Sequence, residues 1–203
     1  MITARKFRTG STGAVPSSAA VVDVSTYLSV GNNTVHAIPL PSYSIGDTLV
    51  LLVGSRNYAV TTPAGWTLAE SSNEIKAFYR VADGGEGSSV NVTIASTGAL
   101  SGGCVSVSGA TYTQSDNSTS TTPVSLANAT NAALIFFAVT SQNTASSTPP
   151  SRFAEHMDGE SLSTFASAST LCVDDKAGST DGTSVINTWT LAGTVGNLLI
   201  EVS

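Results

Sequence analysis

His36 and His156 are the only two imidazoles in the chain, so any Ser–His chemistry or histidine–metal site must use one of them. His36 stands between Val35 and Ala37 in an alternating stretch, which places it on the face of a sheet. His156 lies in Glu155-His-Met-Asp158, which reads as a loop. No Gly-x-Ser-x-Gly elbow supplies a nucleophile for either. The carboxylates cluster as Glu70 with Glu74, Asp158 with Glu160, and Asp174 with Asp175 and Asp181. Glycoside hydrolysis needs two carboxyl groups about 5–10 Å apart across a cleft, and this spacing specifies no such pair. The Asp174–Asp181 stretch offers oxygen ligands for calcium but matches no defined loop, so these acids read as solvated turn residues. Cys104 and Cys172 permit at most one bridge; with the histidines they show no zinc spacing, and a reduced pair is expected. Gly84, Gly85 and Gly87 precede a strand rather than a helix and cradle no phosphate. The expectation is a non-enzymatic protein with no catalytic residue, metal or cofactor.

The aromatic residues leave two readings open. Tyr58, Trp66 and Trp189, with Phe153 nearby in type, could form a platform for stacking carbohydrate. Alternatively, Trp66 and Phe153 are matched core positions of a repeat, since large rings dominate buried area. The second reading draws on a pattern that runs through the chain. Residues 48–66 give an apolar run, a polar Ser/Asn stretch, Thr-Pro and then Trp66; residues 133–153 give the same order, ending in Phe153. Duplicated punctuation of this kind marks related β-units.

The elements that must position these residues are strands. Ile75, Ala77, Tyr79 and Val81 alternate with polar neighbours, as do Val90, Val92 and Ile94. The run Thr48–Val53 is apolar throughout, which suits a strand buried on both faces. Asp83-Gly-Gly-Glu-Gly87 reads as a hairpin-type turn between its flanking strands, and Gln114–Thr122 as a polar surface loop or linker. Ala20–Val24 and Thr34–Leu40 read as candidate strands, although Ala19–Ser29 is the one place where a short helix is also compatible with the sequence. About ten to twelve strands are expected, in an all-β, antiparallel, jelly-roll-like single β-sandwich occupying residues 19–203. Its pseudo-repeated halves cover about 46–110 and 131–203, each half feeding both sheets.

Charge is divided unevenly. Arg5, Lys6 and Arg8 are three of only eight basic residues, leaving five against fourteen acidic ones in the remainder. An acidic body disfavours nucleic acid and anionic membrane as partners. The basic, then Gly/Ser/Pro-rich segment 1–18 reads as an extended arm suited to docking on an acidic partner. No apolar stretch is long enough for a membrane-spanning helix, and the N-terminus lacks the apolar region of a secretory signal, so synthesis in the cytoplasm is expected.

Several segments carry a family resemblance. These are Gly46-Asp-Thr-Leu-Val-Leu-Leu-Val-Gly-Ser-Arg56, Thr62-Pro-Ala-Gly-Trp-Thr-Leu68, Phe78-Tyr-Arg-Val-Ala-Asp-Gly84 and Val90-Asn-Val-Thr-Ile94. Over about residues 46–110 the chain resembles β-sandwich modules of tailed-bacteriophage virion structural proteins, found in head decoration, tail-tip and fibre proteins. The second half resembles them only as a degenerate copy. The resemblance implies a virion surface protein, either a capsid decoration protein or a tail-fibre host-attachment module, that acts as a homo-oligomer. It implies that Arg5, Lys6, Phe7 and Arg8 dock on the proteins of a capsid or tail lattice. In the attachment alternative, Tyr58, Trp66 or Trp189 would meet a host-surface glycan.

Overall fold

The computed structural model describes residues 19–29, 31–55, 58–72, 75–119, 124, 126, 133–140, 147–148, 153–160, 168–174, 188–189 and 195–203. Among them are fifteen strands and no helix. In order these are β1 (Ala20–Leu28), β2 (Asn33–Pro39), β3 (Thr48–Gly54), β4 (Val60–Thr61), β5 (Thr67–Ser71), β6 (Ile75–Val81), β7 (Ser89–Gly98) and β8 (Ser101–Ser108). There follow β9 (Tyr112–Thr119), β10 (Ala133–Thr140), β11 (Ser147–Thr148), β12 (Ala154–Glu160), β13 (Ala168–Asp174), β14 (Thr188–Trp189) and β15 (Val195–Val202). All of their pairings are antiparallel.

Two five-stranded sheets form the body. One has the order β5-β6-β3-β8-β1, the other β12-β13-β10-β15-β9. They pack face to face through one apolar core that includes Val50, Leu52, Val105 and Val107 from the first and Ile135, Phe137, Leu171 and Ile200 from the second. Each fully buried Leu, Ile or Phe there contributes about 1.5–3 kcal/mol relative to exposure. A three-stranded sheet, β2-β7-β4, covers the other face of the first. Between those two lie Leu49, Leu51, Val53, Phe78, Ile38, Val92 and Ile94. The central strand β3 is therefore buried along its whole length, which is why its sequence is apolar at successive positions rather than at alternate ones. The fold is all-β with sandwich packing, but the halves do not exchange strands. Each long sheet is built from one continuous stretch of the chain, residues 20–108 for the first and 112–202 for the second, each reaching N-terminal of its expected half to take in β1 or β9.

The two long sheets have the same construction. Aligning Thr48 with Ala133 matches β3 with β10, β6 with β13, β8 with β15, β5 with β12 and β1 with β9, in one common order. Two irregularities then coincide. On the β1/β9 side, Val21 faces Val107 and Tyr112 faces Val202, with the next residue, Val22 or Thr113, unpaired in each case. On the β5/β12 side, Ala69 and His156 are each the extra residue, between Leu68 and Glu70 and between Glu155 and Met157. A bulge bends an edge strand and interrupts its unpaired row of amides, which protects it from pairing with another chain.

The stacking of the sheets is self-complementary. Strand β3 lies over β10, β6 over β15, β8 over β13, β1 over β12 and β5 over β9. Each contact maps onto another when the halves are exchanged, the geometry of an isologous dimer made within one chain. Matched positions meet at the centre: a Cβ on Gly54 would stand 2.5 Å from Cγ2 of its counterpart Val139. Gly103 likewise admits the Leu171 side chain, whose Cδ2 a Cβ would meet at 2.8 Å.

Several local expectations are corrected. The polar segment after Tyr112 is not a linker through residue 119 but strand β9, hydrogen-bonded to β15. The candidate strand Ala20–Val24 is a strand and runs further, to Leu28 in β1, which leaves no short helix there. The turn at 83–87 does not close a hairpin: β6 pairs with β3 and β5, β7 with β2 and β4, so this turn carries the chain from one layer to the next. His156 lies in strand β12 rather than in a loop.

Candidate functional site

The four arm residues Arg5, Lys6, Phe7 and Arg8 lie outside the described residues, as do Asp175 and Asp181. The aromatic candidates can be placed, and they do not form one platform. Trp66 precedes β5, where its N–H donates to the Pro63 carbonyl at 3.1 Å and turns its indole into the outer core. It is 8% exposed, and its register counterpart Phe153, 7% exposed, occupies the matching core on the outer face of the second sheet. Tyr58 is half-buried over Gly98, whose missing Cβ would overlap the phenol ring. Trp189 is in the two-residue strand β14, opposite Ser147.

Trp66 nevertheless borders a cleft of about 280 Å³ with Leu40, Pro63, Arg80, Glu86 and Asn91 among its walls. Strand β6 places Arg80 there, and the following turn folds two carboxylates back onto it. Arg80 Nη2 donates to Asp83 Oδ2 at 3.0 Å and to Glu86 Oε1 at 2.8 Å. Glu86 also accepts the Asp83 and Gly84 amides at 2.8 and 2.9 Å, which fixes the turn. Burial works against ionisation of Glu86, but these amides, its own N–H and the Arg80 guanidinium outweigh it and hold its carboxyl below the usual range. Arg80 Nε is buried without a hydrogen-bond partner among the described residues. The guanidinium is already matched by two carboxylates, so the cleft disfavours an anion.

His36, Cys104 and Asp47 are engaged within the fold itself. His36 is buried; Nδ1 lies 3.1 Å from the Tyr27 hydroxyl and Nε2 3.1 Å from the Asn33 carbonyl. Burial is the main cause that lowers its pKa, so the ring is neutral near pH 7. The Cys104 thiol is buried and pushed far up by desolvation. The Gly46-Asp47 pair of the family-like motif shapes a turn: Asp47 Oδ2 accepts the Ser44 amide at 2.7 Å and Gly46 takes φ 96°. Among the described residues, no group of three or more His, Cys, Asp or Glu side chains is placed to hold a metal ion. No helix there is long and apolar enough to cross a membrane.

No protein-family model matches the chain, and no curated protein or solved structure matches it.

Proposed function

We propose that this chain is a non-enzymatic structural protein of a bacteriophage particle, a capsid decoration protein held to an acidic site on the capsid lattice by its N-terminal arm. The observation that carries the reading is the division of charge: Arg5, Lys6 and Arg8 flank Phe7 ahead of a body with five basic and fourteen acidic side chains. The body supports it, since its best apolar and aromatic residues, Trp66 and Phe153 included, are used in its own cores. Such a body is suited to standing on a surface, with attachment left to the arm. In this reading the protein acts as a symmetric oligomer on the virion.

The test is deletion of residues 1–18. The truncated chain should keep its β-sheet circular dichroism and melting temperature yet fail to co-sediment with particles from the host that makes it. Truncated protein that decorated particles as well as the full chain would end this reading. A tail-fibre or tail-tip adhesion role has one observation in its favour, the unpartnered Arg80 Nε beside Trp66. It predicts quenching of tryptophan fluorescence by host polysaccharide, lost in Arg80→Ala.

A further inference from the structure

Among the described residues, the matched halves differ at a rim where the difference leaves a groove. At the rim where β9 lies over β5, Tyr112 stacks on Tyr79 with centroids 4.5 Å apart and an interplanar angle of 17°. The Tyr112 hydroxyl reaches Ser115 Oγ at 2.9 Å and the carbonyl of the bulge residue Ala69 at 3.5 Å. The register assigns each of these a counterpart at the opposite rim. Val21 stands for Tyr112, because both face matched valines, Val107 and Val202. Val173 stands for Tyr79, because they face Ile135 and Val50. His156 stands for Ala69.

With two valines in place of two stacked rings, the opposite rim is open. A groove of about 290 Å³ remains there, lined by Val21, Val22, Asp23, Ala154, His156 and Val173 among others. Its apolar wall reaches solvent, since Val22 is 47% exposed. Its polar edge is held in place: Asp23 Oδ2 accepts the Ser42 amide at 2.7 Å and Oδ1 accepts the Val24 amide at 2.9 Å. We propose that this groove receives a tyrosine side chain from a partner polypeptide, which fills the place that Tyr112 fills at the matching rim. The occupant is argued from the molecule itself: the matching pair of bulged strands, β9 and β5, in the equivalent stacking, already closes over a phenol ring. Val21 and Val173 leave room for that ring, and His156, the bulge residue matched to Ala69, lines the groove beside them. An aromatic ring in such a slot gains burial and offset stacking or edge contacts together.

The test uses the full chain with two probes, p-cresol and the blocked tripeptide Gly-Tyr-Gly, and reads amide and methyl NMR shifts. Saturable shifts are expected at Val21, Val24, Ala154 and Val173, with Gly-Ala-Gly giving none. Val21→Tyr should fill the groove from within and weaken p-cresol at least tenfold. Val173→Tyr, built on the second wall, gives the same reading should the first variant not fold. Undiminished binding in a folded variant, or shifts that map to the Tyr79–Tyr112 rim, would overturn the proposal. So would binding that emerges only after residues 1–18 are removed, because the natural occupant would then be the chain's own arm. The outcome does not depend on whether the arm docks on a capsid.

Discussion

Replacing Tyr112 by valine would give the filled rim the residue that stands at the open one, and the cost can be worked from its contacts. The stacked pair with Tyr79 is worth about 0.5–1.5 kcal/mol beyond burial. The hydroxyl bond to Ser115 adds about 1 kcal/mol. Cutting back a half-buried ring to valine removes roughly a third of the 3–5 kcal/mol typical of a full aromatic-to-alanine truncation, or about 1 kcal/mol. Tyr112→Val should therefore destabilise the chain by about 3 kcal/mol, roughly 6–12 °C in melting temperature for a chain of this size. Urea titration followed by circular dichroism and tyrosine fluorescence measures it, provided the two probes give coincident transitions. A cycle with Tyr79→Val should return a coupling of about 1 kcal/mol. A loss below about 0.5 kcal/mol, or no coupling between the two tyrosines, would refute the claim that this rim is held by its ring pair.

Gly54→Ala should cost about 1–3 kcal/mol, because its Cβ would overlap Val139 and Ser101; Val139→Ala should recover part of that in the double variant, measured by denaturant titration. Glu86→Gln leaves Arg80 with Asp83 as its one carboxylate partner among the described residues and should cost about 2 kcal/mol. The folded-state pKa of Glu86 is depressed, so its contribution is present above the ordinary glutamate range and lost as pH falls below it; the variant's acid melting profile should be shallower there. His36 is a base whose folded pKa is lowered, so the unfolded chain binds the proton more readily. Stability should be full above the ordinary value of 6.5 and decline as pH falls below it, and His36→Gln should remove that slope in thermal melts between pH 5 and 7, a window set by about that reference value.

How much of this was legible in the sequence depends on the kind of signal. The apolar run at 48–53 announced a strand buried on both faces because no solvent-facing position interrupts it. The match of Trp66 with Phe153 was readable from the order of motifs, and the ladders around β5 and β12 place the two residues at the same register. The turn at 83–87 was readable as a turn but not as a crossing, since glycines specify backbone freedom and say nothing of which layer comes next. Strand β9 was missed because Gln114, Ser115, Asp116 and Asn117 carry no strand-like apolar alternation; β15 supplies the hydrogen bonds that hold it. The paired bulges left no trace in residue type, Ala69 matching His156 and Val22 matching Thr113. The cleft at Arg80 was not foreseen, although an arginine followed by Asp83 and Glu86 across a glycine turn is its one sequence signal.

The contact between Gly54 and Val139 has a further meaning. In a dimer of identical subunits, a residue on the two-fold axis faces its own copy, so a glycine there leaves a gap and a valine collides with a valine. Joining the two halves in one chain lifts that restriction, and a small residue can face a large one across the axis. The join also makes the pairing independent of protein concentration, because the second surface is always at hand. A molecule scattered thinly over a surface would keep its shape without needing a neighbour to complete it.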